Sequence, residues 1–171
     1  NGDGNSTDSG HVRVYNSVES GSSTLWEQLG GDIKGSATGD KFGWAVAMSA
    51  DGSRVAVGAI LAIGNNIGSG HVRVYGLDAG SDSWVQVGSD IKGDNENDKF
   101  GYSLSLSSDG TRLAVGAPNN SAGSGLVRVF LFDSSTMNWR QFGDNIPGTS
   151  ASKTGLSISL SHIVNVTSVV I

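Results

Sequence analysis

Few residues of this chain have the type and spacing that catalysis requires. The histidines are His11, His71 and His162, and the chain has no cysteine. The sequence holds no serine, histidine and aspartate in the order of a hydrolase triad, and no pair of histidines with metal-ligand spacing. His11 and His71 both precede Val-Arg-Val-Tyr, so we interpret them as structural residues at the start of a strand. We therefore expect no catalytic residue and no enzymatic activity.

Oxygen-bearing side chains near the start of the chain could form a metal site, because calcium binds where six to eight oxygen ligands converge. The stretch NGDGNSTDSG at 1–10 places Asp3, Asn5 and Asp8 at nearly the spacing of a calcium loop. A flexible, solvated loop explains the same residues, since the corresponding loops later in the chain carry mainly asparagine and serine. We expect no cofactor and keep these three residues as the metal-ligand candidates.

Two other residue types could contact ligands or carry a modification. Trp44 and Tyr102 occupy equivalent positions of a repeated strand, where they serve either core packing or the binding of a sugar ring. Three Asn-x-Ser/Thr sequons begin at Asn5, Asn119 and Asn165. These asparagines are candidate glycosylation sites, which favours a location outside the cell.

Charge and composition narrow the classes of partner. The net charge is −5 and no basic run occurs, which argues against a nucleic-acid partner because phosphate binding needs clustered lysine or arginine. The closing stretch HIVNVTSVVI is too short and too polar to span a bilayer, so we expect no membrane span and a soluble protein. The 26 glycines, without a collagen period, predict many tight turns or closely packed strands.

A repeat organises the whole chain. The phrase SADGSRVAVGA at 49–59 returns as SSDGTRLAVGA at 107–117, and other landmarks recur with a period of 55 to 60 residues. These landmarks are a Phe-Gly pair, the strand HVRVY or LVRVF, a Trp-x-Gln-x-Gly segment and a closing motif such as GDIKG. Periods of this length filled with short strands indicate a propeller or a solenoid.

Each repeat predicts four β-strands. Small and large residues alternate in AVAMS and SLSLS, which is the period of a strand. Asp51 and Asp109 each precede glycine in the hairpin turn that follows, and we interpret them as turn residues. We interpret Asp40 and Asp98, which precede Lys-Phe-Gly, as solvated turn charges. The predicted fold is all-β, built from propeller blades of four antiparallel strands.

The phase of the repeat divides the chain into four units. Unit 1 (1–35) is the second half of a blade, unit 2 (36–93) and unit 3 (94–148) are blades, and unit 4 (149–171) is a degenerate first half. Units 1 and 4 together make one blade, giving about three repeats. The chain is then either part of a longer propeller or half of a six-bladed ring of two copies. The tail 161–171 aligns without gaps on 107–117 but lacks the Asp-Gly turn, so a hairpin, one long strand and a truncated repeat all stay open.

The order of these landmarks resembles a known family. Phe100-Gly101 followed by Val115-Gly116-Ala117-Pro118 resembles the FG-GAP repeat of integrin α-subunit propellers and of FG-GAP-like arrays in bacterial and algal surface proteins. The resemblance implies a β-propeller displayed outside the cell for adhesion or ligand binding. The calcium loop that such repeats often carry does not match here, because Asp51 and Asp109 stand alone in the corresponding segments.

Two functions fit these observations. The first is a non-catalytic, extracellular or cell-surface β-propeller module for adhesion or for recognition of a protein or carbohydrate ligand. The alternative is a structural scaffold or filament subunit with no discrete ligand site, acting as a homo-oligomer or as part of a larger chain.

Overall fold

The computed structural model describes residues 8–163 and 166–171, and almost all of their regular structure is β-strand. Unit 1 contributes β1 (His11–Val12), β2 (Tyr15–Ser20), β3 (Ser23–Gln28) and β4 (Ile33–Lys34). Unit 2 contributes β5 (Phe42–Met48), β6 (Arg54–Ala59), β7 (His71–Asp78), β8 (Ser83–Gln86) and β9 (Ile91–Lys92). Unit 3 contributes β10 (Leu104–Leu106), β11 (Arg112–Ala117), α1 (Asn120–Gly123), β12 (Leu126–Asp133), β13 (Asn138–Gln141) and β14 (Ile146–Pro147). Unit 4 contributes β15 (Ser159–Ile163) and β16 (Val166–Val170).

Units 2 and 3 each form one antiparallel sheet with four consecutive strands. Their strand orders are β5-β6-β7-β8 and β10-β11-β12-β13, so each strand pairs with the next one along the chain. The fold class predicted from the repeat is confirmed. The prediction missed a fifth, two-residue strand in each sheet, β9 beside β7 and β14 beside β12. The single helical turn α1 contains Ser121 and Ala122 in left-handed conformation, so it is a tight turn and not a regular helix.

The core consists of side chains packed between consecutive units. β6 and β11 are the most buried strands because both of their faces are covered, and their small and branched residues allow close approach of the neighbouring sheet. One cluster joins units 1 and 2 through residues such as Ile33, Phe42 and Tyr75. A second joins units 2 and 3, and a third packs Leu160 of unit 4 on unit 3. Burial between units therefore stabilises the array.

The Phe-Gly pair of each unit docks on the unit before it. The amide of Phe42 donates to the carbonyl of Ser9 at 3.1 Å, and the amide of Phe100 donates to the carbonyl of Ser69 at 2.9 Å. The glycine that follows is left-handed, with φ of 94° at Gly101, a conformation that glycine adopts without steric cost. Its carbonyl oxygen lies so close to Gly58 that a Cβ there would stand 2.2 Å away. The repeated glycines are therefore required by contact between units.

The repeated tryptophans connect the outer strands. The indole nitrogen of Trp84 donates to the carbonyl of Leu29 in unit 1 at 2.9 Å. That of Trp139 donates to the carbonyl of Val87 in unit 2 at 3.0 Å. Each tryptophan therefore ties its own unit to the preceding one.

The tail forms a hairpin, which excludes the alternative of one long strand. β15 pairs antiparallel with β16, and Leu160 lies opposite Val169. In unit 3 the corresponding Leu106 lies opposite Leu113. The gapless alignment pairs 113 with 167, so it differs by two residues from the strand pairing, in which Val169 takes the place of Leu113.

Candidate functional site

The two ends of each sheet have different connections. Because the strands are antiparallel, the connections fall alternately at opposite ends. Short turns at 49–53, 79–82, 107–111 and 134–137 form one end, which we call the turn face. The linkers 35–41 and 93–99 and the loops 60–70 and 118–125 meet at the other end, which we call the long-loop face.

Side chains on the turn face are used within the turns themselves. The hydroxyl of Ser49 donates to the Asp51 carboxylate at 2.6 Å, and the backbone amide of Ser53 donates to it at 2.9 Å. These hydrogen bonds, that from Ser49 first, lower the pKa of Asp51 to about 2. Ser107 repeats the first contact with Asp109 at 2.6 Å. Both carboxylates therefore stabilise the turns, as expected for aspartate in this position.

The two aspartates that precede Lys-Phe-Gly on the long-loop face are buried, contrary to the sequence interpretation. Asp40 is 8% exposed and Asp98 is 4% exposed, although both were interpreted as solvated charges. Asp98 accepts hydrogen bonds from Asn95 and from the side chain of Asn120, at 3.0 and 2.8 Å. The carboxylate therefore holds the linker 93–99 against the loop 118–125. The recurrence of Asp before Lys-Phe-Gly in units 2 and 3 indicated a shared role for the two residues, but not their burial.

Trp44 and Tyr102 come together near the long-loop end of the first strands. Their ring centroids are 5.4 Å apart and the rings are tilted by 49°. Trp44 is 50% exposed, and Tyr102 is partly buried beside it. The pair thus offers an aromatic surface to solvent across the junction of units 2 and 3, with one ring supporting the other.

Clefts open on the same face, and one of them includes Trp44 in its lining. A cleft of about 230 Å³ has Trp44, His11, Lys41 and Asp8 among its lining residues. A larger cleft of about 590 Å³ lies between the linker 93–99 and the loop 118–125, and its lining is polar. Such a mixture of an aromatic surface with nearby hydrogen-bonding groups suits a polar ligand that has an apolar face.

The other predicted site residues are more scattered. Asp8 is exposed and has a left-handed backbone, while Asp3, Asn5 and Asn165 lie outside the described residues. Asn119 is partly buried, and its side-chain oxygen accepts a hydrogen bond from Lys153 at 3.2 Å. Within residues 8–163 and 166–171, no three acidic or histidine side chains stand close enough to hold a metal ion. In the same part of the chain, no helix has the length and hydropathy needed to cross a membrane.

Solved structures place the fold among known propellers. The chain superposes on the crystal structure of a Bacteroides fragilis protein described as a 6-phosphogluconolactonase, with a TM-score of 0.56 and 12% sequence identity. The match covers 89% of this chain and 36% of the other, so this chain spans about a third of that protein's length. At this identity the likeness concerns the fold alone.

Sequence comparison identifies the repeat. No curated protein matches the chain in sequence. Residues 34–75 match the family model of the FG-GAP repeat, a segment that contains β5, β6 and the start of β7. The landmarks of this segment recur in unit 3, with Phe100-Gly101 and Val115-Gly116-Ala117 in the same structural positions. Residues 34–75 of the chain are therefore similar to the FG-GAP repeat, and unit 3 repeats the landmarks of that segment.

Proposed function

We propose that this chain is a non-catalytic recognition module that binds a carbohydrate outside the cell through its long-loop face. The observation that carries the proposal is the half-exposed Trp44, which packs against Tyr102 and lines a cleft together with polar residues. A sugar ring presents apolar C–H faces and polar edges, so an aromatic surface beside hydrogen-bonding groups is complementary to it.

The difference between the two faces supports this choice. On the turn face the polar side chains hold the turns together, as the Asp51 and Asp109 contacts demonstrate. The long-loop face carries the longer connections and the clefts, and binding residues are commonly found on such loops of a rigid scaffold. The family resemblance and the sequons support an extracellular location, and we propose Asn119 as a glycosylation site.

A glycan array tests the proposal directly. Labelled wild-type protein should bind a defined subset of glycans. Trp44→Ala should weaken that binding at least about tenfold, the effect of losing ~1.4 kcal/mol of contact. Trp26→Ala is the matched control, because Trp26 is 71% exposed but lies in unit 1 on β3, away from the clefts. Equal loss in both variants, or no glycan binding at all, would reject the proposal.

A separate assay addresses catalysis, because the structural neighbour is described as an enzyme. The chain should not accelerate the hydrolysis of 6-phosphogluconolactone above the uncatalysed rate. Turnover that persists through repeated purification would overturn the non-catalytic part of the proposal.

A scaffold function is the second candidate, and Trp26 is the observation that favours it. Trp84 and Trp139 each bond to the preceding unit, whereas Trp26 has no such partner among the described residues. The carbonyl of Phe142 in unit 3 is equivalent to those of Leu29 and Val87. The Phe142 carbonyl of a second copy could therefore accept the hydrogen bond from Trp26. Light scattering across a range of protein concentrations distinguishes the cases. Mass that grows with concentration and falls in Trp26→Ala supports a scaffold, and a constant mass rejects it.

A further inference from the structure

A cleft of about 410 Å³ lies on the long-loop face of unit 2, which supplies all of its lining residues. We call it the histidine cleft, and its defining residues are Asp40, Leu61, Ile63, His71, Arg73 and Lys92. Its size falls within the range of small-molecule sites in proteins. The segment 36–44 separates it from the cleft that contains Trp44.

His71 is the most unusual member of the cleft. It is 4% exposed, and among the described residues its Nε2 atom has no hydrogen-bond partner. Burial, assisted by the nearby Arg73 cation, lowers the pKa of His71 to about 4, so the ring is neutral at physiological pH. Buried polar nitrogens normally have a partner, and one without a protein partner marks a place where a ligand group can bind.

The charged groups of the cleft cancel one another. Arg73 forms two hydrogen bonds to Asp90, at 2.8 and 2.9 Å, and a third to Ser36 at 3.1 Å. The remaining charges are the exposed Lys92 and the buried Asp40, whose pKa is raised by desolvation. The lining holds two cations and two anions, so it has no excess charge that would neutralise an anionic or a cationic ligand. A neutral ligand therefore fits its electrostatics best.

The cleft also has an apolar side. Leu61 and Ile63 are 43% and 70% exposed, so their side chains present hydrocarbon to a ligand. The same lining includes a hydrogen-bond donor on Lys92, an acceptor on Asp40 and the ring nitrogen of His71. Alternating donors and acceptors facing a hydrocarbon surface are complementary to a hydroxylated ring.

The fold does not require these polar residues. In unit 3 the position of His71 is occupied by Leu126, and the position of Lys92 by Pro147. The corresponding Arg128 pairs with Asp94 of the preceding linker instead. Since the same architecture forms with leucine and proline, the histidine and lysine of unit 2 are available for binding.

We propose that the histidine cleft is a second carbohydrate subsite, specific for an uncharged sugar residue. This proposal rests on the proposed function, from which it takes carbohydrate as the ligand class. It adds the place where a second sugar residue binds and the preference for an uncharged one. Lys92 and Asp40 bind ring hydroxyls, His71 contributes a neutral hydrogen bond, and Leu61 with Ile63 packs against the apolar face of the ring.

NMR titration with methyl glycosides of glucose, mannose and galactose tests this subsite. The carbon-bound ring protons of His71 are identified by their loss in His71→Leu, a substitution that unit 3 already accommodates. At least one neutral glycoside should shift these signals to saturation. Lys92→Ala should weaken that binding at least fivefold, while Lys34→Ala, the equivalent exposed lysine of unit 1, should leave it unchanged.

Charged analogues complete the test. Glucuronate and glucosamine should bind more weakly than their neutral parent sugar. The proposal is overturned if no glycoside shifts the His71 signals, if a charged analogue binds more tightly, or if Lys34→Ala weakens binding equally. Failure of this subsite is distinguishable from failure of the proposed function, because the indole signal of Trp44 reports on the other cleft in the same titration.

Discussion

Gly58 offers the sharpest test of the contact between units. It lies in β6 and does not have a left-handed backbone, so glycine is not needed there for conformation. A Cβ at this position would stand 2.2 Å from the carbonyl oxygen of Gly101, whereas Cβ atoms essentially never approach another atom closer than 3.0 Å. Gly58→Ala therefore forces units 2 and 3 apart by about 1 Å.

The expected cost of this substitution is at the upper end of overpacking effects. Such changes typically destabilise by ~1–3 kcal/mol, and the obstacle here is backbone that cannot rotate away, so we expect about 3 kcal/mol. For a chain of this size each kcal/mol lowers the melting temperature by ~2–4 °C, giving a decrease of roughly 6–12 °C. Thermal unfolding followed by circular dichroism measures the change.

Gly31→Ala is the matched control. No atom lies within 4 Å of a Cβ at Gly31, and its backbone is not left-handed. Its melting temperature should stay close to that of the wild type or rise slightly, because alanine restricts the unfolded chain. If Gly58→Ala and Gly31→Ala melt within about 2 °C of each other, a difference of ~0.5–1 kcal/mol, the close packing of the units is refuted.

Three further predictions concern the tryptophans, the buried histidine and calcium. Trp139→Phe removes the hydrogen bond to Val87 and should destabilise by ~1 kcal/mol in urea unfolding, whereas Trp26→Phe should have no effect; equal effects would contradict the tie between units. The pKa of His71 is about 4 in the folded state, against an ordinary value of 6.5. Between pH 4 and pH 6.5 the unfolded chain therefore binds a proton at His71 that the folded chain does not bind. Stability should therefore fall as the pH is lowered from 6.5 to 4, and His71→Leu should flatten that profile; identical profiles would contradict the burial. Millimolar calcium should leave the melting temperature unchanged, and a clear increase would contradict the expectation of no cofactor.

The repeat made the strands predictable because their features are local. Alternating small and large residues located β5, β6 and β7, and the Asp51 and Asp109 turns follow from the conformational preference of Asp-Gly. The short strands β9 and β14 escaped prediction because two residues give no periodicity. They form because the residues of the GDIKG-type motif pair with the start of the third strand in the same sheet.

The candidate site was less predictable because it depends on contacts between units. Equivalent positions indicated that Trp44 and Tyr102 could act together, but only the fold brings their rings to 5.4 Å. Recurrence before Val-Arg-Val-Tyr favoured a structural role for His71, yet the leucine at 126 demonstrates that the strand forms without it. The burial of Asp40 could not be foreseen from its charge, since its surroundings come from the linker and the neighbouring loop.

The most direct test of carbohydrate recognition at the long-loop face follows the four tryptophan indole signals by NMR while a glycan selected on the array is added. Each signal is assigned by a Trp→Phe variant. Trp84 and Trp139 form hydrogen bonds to the preceding unit, and Trp26 lies on β3 in unit 1. The signals of these three tryptophans should therefore not respond. The Trp44 signal should shift with saturation, and the other three should stay in place. A response confined to Trp26, or shifts spread over all four, would contradict carbohydrate recognition at the long-loop face.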